Sequence, residues 1–143
     1  MQGEKMIHIY KSHYDEIIDY SLAELPNEAC GLLAGRLENE EKRVEKVYFL
    51  RNIDESPEHF SMDPKEQFAA VKDMRVNGWV LLGNFHSHPA TPARPSREDI
   101  RLAFDPSKSY MILSLAEKQN PVLKSFLIVN KEVSPEDLVI GGE

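Results

Sequence analysis

This chain has fewer basic than acidic residues and very little cysteine. Lysine and arginine number 17 against 24 aspartates and glutamates, which gives a formal charge of −7, and Cys30 is the one cysteine. A surface that binds nucleic acid or an anionic membrane needs a surplus of positive charge, so this balance argues against both partners. One cysteine cannot form an internal disulfide or a cysteine-rich metal cluster, which agrees with a reducing compartment. Any metal site must therefore rely mainly on histidine and carboxylate.

Long apolar runs are also missing. No run approaches the roughly 20 residues that span a bilayer, and the first ten residues lack the apolar stretch of a secretory signal. These two absences predict a cytoplasmic protein. With 143 residues, no internal repeat and no Gly/Ser linker, we predict a single domain over residues 1–143. The oligomeric state stays open.

Hydrophobic spacing predicts an alternation of strands and helices. In the second helix, for example, Phe68, Val71 and Met74 recur at helical spacing. The connections include hairpins rather than regular βαβ units, so we predict an α/β fold with a mixed sheet flanked by helices. The tail from Pro135 is too short to assign. The predicted strands are 6–10, 29–35, 43–53, 79–85, 110–115 and 123–129, and the predicted helices are 12–25, 64–77 and 96–104.

Two histidines follow directly on the predicted strand 79–85. His86 and His88 are two residues apart, so their side chains point to the same face of an extended chain. Ser87 between them should point to the opposite face and pack or form a hydrogen bond there. Asp99 comes eleven residues after His88, across a proline-punctuated loop that could return it to the same place. Two histidines, one carboxylate and an open fourth position are typical of a catalytic zinc site.

Each element of this pattern also has an ordinary structural interpretation. An isolated His-x-His is more often incidental than metal-binding. Ser96 and Asp99 have the spacing of a capping box at a helix start, and the prolines could simply stiffen the loop. Spacing alone leaves both interpretations open.

A longer pattern narrows the choice. The run His86-Ser87-His88-Pro89, six further residues, Ser96, two residues and Asp99 resembles the signature of the JAMM (MPN-plus) zinc metalloprotease family. The upstream segment 27–35, NEACGLLAG, is similar to the other characteristic stretch of the family. Asn52, Phe60 and the helix from Pro64 also fall where family members have comparable elements, so the resemblance covers nearly the whole chain.

The resemblance implies a curved mixed sheet between helices, of the cytidine-deaminase-like type. It also implies one zinc ion per chain, bound by His86, His88 and Asp99. Glu28 matches the general base of the family and Ser96 the serine that helps to stabilise the oxyanion. Glu28 is selected by the resemblance alone. The local sequence also offers three other glutamates near plausible loops, namely Glu55, Glu58 and Glu98.

Family members hydrolyse peptide or isopeptide bonds after the C-terminal Gly-Gly of ubiquitin or ubiquitin-like proteins. This chain resembles the small prokaryotic members, so the implied partner is a ubiquitin-like protein of the sulfur-carrier type, from which an amino acid such as cysteine is released. The polar segment 54–62 could form a flap over the groove. The alternatives are a noncatalytic MPN-type scaffold and a RadC-like protein associated with DNA repair.

Overall fold

The computed structural model describes residues 6–142, and they form seven strands and three helices. None of these helices is long and apolar enough to cross a membrane. In chain order the elements are β1 (Met6–Ile9), α1 (Lys11–Glu24), β2 (Cys30–Glu38), β3 (Glu41–Leu50), α2 (Pro64–Asn77), β4 (Val80–His88), α3 (Arg97–Arg101), β5 (Ser109–Ser114), β6 (Val122–Val129) and β7 (Glu132–Ile140).

The strands form a mixed sheet that closes into a barrel in the order β1-β3-β2-β4-β5-β6-β7. Strand β1 closes it by pairing parallel to both β3 and β7. The pair of β4 and β5 is parallel as well, whereas the remaining neighbours are antiparallel. The predicted α/β class with a mixed, curved sheet and flanking helices is confirmed. Closure was not predicted, because it depends on β7, the tail that sequence left unassigned.

One face of the sheet forms the main core with α1. Alternate residues of the strands supply it, because successive side chains of a strand point to opposite faces. Phe85 and Ser87 of β4 lie on this side, and both are fully buried. Helix α1 adds Ile17, which is also fully buried. The strand residues of this core include Ile7, Ile9, Leu33, Val44, Val47, Phe85, Met111 and Leu113.

Helix α2 covers the opposite face of β2 and β3. It begins as predicted, with the Asp63 side chain accepting a hydrogen bond from the Lys65 N–H and with Pro64 in the first turn, and it ends at Gly78 in the left-handed conformation. Its packed face differs from the prediction, however. Phe68 is 68% exposed, and the helix packs through Ala70 and Met74, which lie in one cluster with Cys30 and Leu32. A small residue at position 70 lets the helix approach the sheet closely.

Strand β4 lies between β2 and β5 in the barrel and carries the predicted ligands. It continues to His88 rather than ending at Phe85, because β5 pairs along its whole second half, up to His88 opposite Ser114. Its outward side chains lie on the face opposite to Phe85 and Ser87. His86 and His88 lie on this face, together with Asp99 of α3.

Candidate metal centre

The two histidines of β4 are held from both sides by neighbouring strands. His86 lies opposite Cys30 of β2 and opposite Ile112 of β5. Both imidazoles are buried, and they face each other with Nε2 atoms 3.1 Å apart. The i, i+2 spacing thus places both rings on one face of the sheet, as predicted from the extended chain.

Asp99 reaches these histidines from the first turn of α3. Its Oδ2 atom lies 3.1 Å from His86 Nε2 and 3.3 Å from His88 Nε2. The same helix start is a capping box, in which Ser96 Oγ accepts from the Asp99 N–H and Asp99 Oδ2 accepts from the Ser96 N–H. The structural and the metal-ligating interpretations of this segment are therefore compatible, since one carboxylate serves both.

The three ligand atoms have the spacing that a tetrahedral metal requires. In a tetrahedral zinc site with bonds of about 2.0–2.1 Å, neighbouring donor atoms lie about 3.3 Å apart. The three pairwise distances here are 3.1, 3.1 and 3.3 Å, and no other group of three such side chains was found among the described residues. His86, His88 and Asp99 fit a metal with three protein ligands and one open position.

Backbone and aromatic contacts orient the two rings. His88 Nδ1 lies 2.9 Å from the carbonyl oxygen of Pro92, an acceptor, so Nδ1 carries the proton and Nε2 is left to bind metal. The ring of His86 stacks on Phe60, with centroids 4.7 Å apart and planes 26° from parallel. His86 Nδ1 is buried with no hydrogen-bond partner among the described residues, so the Phe60 contact orients the plane of this ring but leaves its Nδ1 unsatisfied.

The electrostatics of the site favour an ionised Asp99. When no metal is bound, the Nε2 atoms of His86 and His88 can carry protons. Burial opposes the ionisation of Asp99, but hydrogen bonds from these two imidazoles outweigh it and hold the pKa of Asp99 well below its usual range. Burial also favours the neutral form of His88 and so would lower the pKa of this imidazole. The hydrogen bonds to Asp99 and to the Pro92 carbonyl outweigh burial and raise the pKa above 6.5. A proton therefore competes with a metal for His88 at mildly acidic pH.

Glu28 lies beside this group, two residues before the start of β2. It is 4% exposed, and burial raises the pKa of its carboxyl to about 8, with Asp99 and two further acidic residues adding to the rise and His88 opposing it. A carboxyl with a pKa near neutrality can exchange protons with substrate at physiological pH. The competing glutamates Glu55, Glu58 and Glu98 are all exposed.

Three contacts fix the backbone around Glu28. Its N–H donates to the carbonyl of Ser56, and its own carbonyl accepts from Asn52 Nδ2. One residue later, the Ala29 N–H donates to Ser87 Oγ at 2.8 Å. Ser87 thus points away from the histidines and forms a hydrogen bond, as predicted. It ties the general-base candidate to the strand that carries the ligands.

The segment 54–62 lies against the site, since Phe60 stacks on His86 and Ser56 bonds to Glu28. Asn52 anchors it by donating to the His59 carbonyl and by accepting from the N–H groups of Asp54 and Ser61. That this segment opens and closes stays a prediction.

The structure brings together all five residues singled out from sequence. His86, His88 and Asp99 converge, Glu28 is adjacent, and Ser96 caps the helix of Asp99. The roles of Pro92 and Phe60 were missed. Pro92 acts through its backbone carbonyl, which the residue type does not reveal. Phe60 is a single aromatic residue in a polar segment, so no periodic pattern indicates which residue it contacts.

A family profile and several known proteins are similar to this chain. The profile of the prokaryotic homologs of the JAB domain matches residues 10–129. The CysO-cysteine peptidase of Mycobacterium tuberculosis is 35% identical over 111 residues, which cover 78% of this chain and 75% of the relative. The desampylase of Pyrococcus furiosus is 30% identical over 132 residues, or 92% of this chain and 89% of that protein.

A solved structure is closer still in sequence. The solution structure of a protein from Desulfitobacterium hafniense is 62% identical and superposes with a TM-score of 0.89, covering 96% of this chain and 94% of the other. The superposition therefore covers nearly the whole chain.

Proposed function

This chain belongs to the family of prokaryotic homologs of the JAB domain, and from that membership we propose that it is a zinc-dependent peptidase acting on a ubiquitin-like protein. The bond hydrolysed follows the C-terminal Gly-Gly of a sulfur-carrier type of protein. The observation that carries the proposal is the convergence of His86, His88 and Asp99 beside the buried Glu28. We also propose that residues 1–143 act as one domain.

His86, His88 and Asp99 would hold the metal. A zinc ion at this place would lower the pKa of a coordinated water to about 7 and polarise the scissile carbonyl. The ligand set supports zinc, because two imidazoles, one carboxylate and an open position are typical of zinc hydrolases. The metal itself is part of the proposal.

Glu28 supplies the general base and then the general acid. Its carboxylate takes a proton from the attacking water, and the carboxylic acid delivers that proton to the leaving amine. The bond between the glycine carbonyl carbon and the leaving nitrogen breaks, the carbonyl carbon gains the hydroxyl, and the amine gains the proton. The raised pKa suits both steps, because the group can accept and release a proton near neutral pH.

Ser96 can stabilise the developing oxyanion without giving up its structural role. Its Oγ accepts from the Asp99 N–H. A hydroxyl has one hydrogen to donate besides its acceptor sites, so the hydroxyl hydrogen is left for the substrate. A donor placed in advance at such a position lowers the barrier to acyl transfer.

The names of the relatives support the substrate class. One is called a CysO-cysteine peptidase and the other a desampylase. The chain covers most of both proteins, so the comparison extends beyond the metal-binding segment. A peptide bond at the C-terminus of a small carrier protein agrees with the first name and with the family expectation of a Gly-Gly tail.

The first experiment measures metal content and cleavage together. We expect wild-type protein to contain about one zinc per chain and to release the residue beyond Gly-Gly from a ubiquitin-like sulfur carrier. Addition of a chelator should stop this cleavage. His88→Ala should lose both metal and activity. His8→Ala, which removes a histidine paired with Glu41 far from the site, is the matched control and should lose neither.

Two further variants separate chemistry from binding. Glu28→Gln should keep the zinc and lose at least about 10²-fold in kcat, whereas Glu117→Gln, at an exposed site, should match the wild type. Zinc without cleavage of any Gly-Gly carrier would favour the scaffold alternative. Salt-sensitive DNA binding would favour the RadC-like one. A wild type that binds no metal would overturn the proposal.

A further inference from the structure

A small apolar pocket opens directly beside the proposed metal. His86 and Asp99 form one part of its wall, and Phe60 of the 54–62 segment forms another. Its volume is about 70 Å³. The remaining lining residues are mostly apolar: Asn84, Pro95, Glu98, Leu102, Tyr110, Ile112 and Ile128.

The size of the pocket suits a short side chain. An engineered apolar cavity of about 150 Å³ accommodates benzene, and this pocket has about half that volume. Roughly three non-hydrogen atoms therefore fit, which is enough for the side chain of alanine, cysteine or valine. Glu98 at the wall disfavours an acidic side chain, because two carboxylates would repel each other.

The position of the pocket decides which substrate residue can enter it. The two glycines before the scissile bond have no side chain to offer. The residue before them starts about 7 Å upstream, since an extended chain advances about 3.3 Å per residue. The Cβ of the residue after the bond is two bonds from the scissile nitrogen. Because two candidate metal ligands form the pocket wall, it is this released residue that lies within reach.

We propose that this pocket, the leaving-residue pocket, binds the side chain of the residue released after Gly-Gly and selects a small apolar or thiol side chain. The inference rests on the proposed function and names the leaving group of that same reaction. Leu102 is the specificity-determining residue best placed for a test, because it lines the pocket yet lies half-exposed on the C-terminal side of α3, where substitution leaves the core intact.

The test compares carrier proteins that end in Gly-Gly-X. For zinc-loaded wild type we expect kcat/KM to be about 10-fold higher with X as Ala, Cys or Val than with Gly, since a buried methyl or methylene contributes about that much to discrimination. Phe and Asp should be poorer than Ala. Leu102→Ala should enlarge the pocket and raise the ratio of kcat/KM for X as Phe to kcat/KM for X as Ala about 10-fold. Leu102→Trp should fill the pocket and remove the preference for Ala, Cys or Val over Gly.

Phe104→Ala is the matched control, because Phe104 is 83% exposed and does not line the pocket. It should leave the ranking unchanged. A second readout is independent of turnover: Gly-Gly-X peptides bound to the Glu28→Gln variant should shift the methyl NMR signals of Ile112 and Ile128, more strongly for Cys or Val than for Gly.

The outcomes separate this inference from the function that it rests on. Cleavage of every Gly-Gly-X carrier at one rate, or a Leu102 variant that slows all of them equally, overturns the leaving-residue pocket and leaves the peptidase standing. If the zinc-loaded wild type cleaves none of them and no peptide shifts the Ile112 or Ile128 signals, both fail.

Discussion

Burial destabilises the ionised form of Glu28, and we therefore expect the stability of the folded protein to depend on pH. The pKa of Glu28 is about 8 in the folded protein against 4.5 as a free side chain. Between these values the folded protein keeps a proton that the unfolded chain releases, so the free energy of unfolding falls as the pH rises from 4.5 to 8. Glu28→Gln removes the titration. We expect the metal-free variant to be more stable than wild type at pH 8 by on the order of 3 kcal/mol.

Denaturant unfolding in the presence of chelator measures this difference. At pH 4 the two proteins should unfold at nearly the same denaturant concentration, because Glu28 is then protonated in both states. The exposed Glu117→Gln should match wild type at either pH. Equal stability of Glu28→Gln and wild type at pH 8 would show that the carboxylate is better solvated than its burial indicates.

The protonation of His88 should make the metal affinity depend on pH. The pKa of His88 lies above 6.5, because the hydrogen bonds to Asp99 and to the Pro92 carbonyl outweigh the effect of burial. Metal requires the neutral imidazole, so zinc affinity should fall as the pH drops through the pKa of His88, approaching tenfold per pH unit once this imidazole is protonated. Asp99 adds no pH dependence in this range, since its pKa lies far below.

Competition with a coloured chelator between pH 8 and 5.5 gives the affinity directly. The pKa of the chelator must be included in the analysis. An affinity that stays constant across this range would mean that His88 is not a ligand. Affinity that also depends on pH near and above 8 would point to a further group beside the metal that loses a proton, as Glu28 does with a pKa of about 8.

At the scale of elements, one side-chain hydrogen bond and one backbone hydrogen bond join Ser87 of β4 to Ala29, just before β2. Ser87 Oγ accepts from the Ala29 N–H in a fully buried place. Ser87→Ala would leave this N–H without an acceptor, at a cost of about 1–3 kcal/mol in the free energy of unfolding. It would also loosen the backbone of Glu28, so we expect kcat to fall while zinc content stays the same.

Ser21 offers a matched comparison within the same core. It is equally buried, but its Oγ has no hydrogen-bond partner among the described residues. Ser21 lies in the C-terminal half of α1, and alanine is the better helix former. Thermal unfolding should therefore show Ser21→Ala as neutral or stabilising. An equal loss in both variants would assign the effect to packing rather than to the hydrogen bond.

Elements with a strong pattern could be predicted from sequence, and elements without one could not. Strand β4 was recognisable because apolar residues run almost without interruption from Trp79 to Phe85. Strand β7 was not, since it contains Pro135 and three acidic residues and most of its side chains are exposed. The proline is tolerated because β1 pairs with β7 only from Asp137 onward.

The candidate site divides in the same way. Strand geometry predicts that His86 and His88 share a face and the loop could return Asp99 to them, but the family resemblance was needed to choose the metal-binding interpretation. Glu28 is 58 residues from His86 in the chain. Their proximity arises from the register of β2 against β4, which places Cys30 opposite His86. No local pattern contains that register, so Glu28 depended on the family resemblance.

At the scale of the whole molecule, a buried polar cluster joins four strands of the barrel. Lys42 of β3 lies 3.7 Å from Glu136 of β7 and donates to Ser109 of β5. Glu136 also accepts from Ser125 of β6. A double-mutant cycle with Lys42→Met and Glu136→Gln should give a coupling energy of about 1–3 kcal/mol, because buried groups of one network are not independent.

An exposed ion pair of the same charges provides the reference. Lys11 and Asp15 lie 2.7 Å apart on the surface of α1, and such pairs contribute about 0.5 kcal/mol or less. Denaturant unfolding of both cycles should rank the Lys42–Glu136 coupling clearly above the Lys11–Asp15 coupling. Similar values would show that strand pairing alone, without this cluster, holds β7 in the barrel.

The 54–62 segment has both ends fixed. A bridge between Asn52 and Met62 closes its base, and the Asp63 N–H bonds to the Arg51 carbonyl. The entropic cost of lengthening a loop grows only slowly with its length once the ends are held together. Extra residues at the exposed Pro57–Glu58 tip would therefore change what the protein grips while leaving the base in register. Insertions at this tip could therefore alter substrate selectivity, in evolution or by design, without disturbing the residues of the candidate metal site.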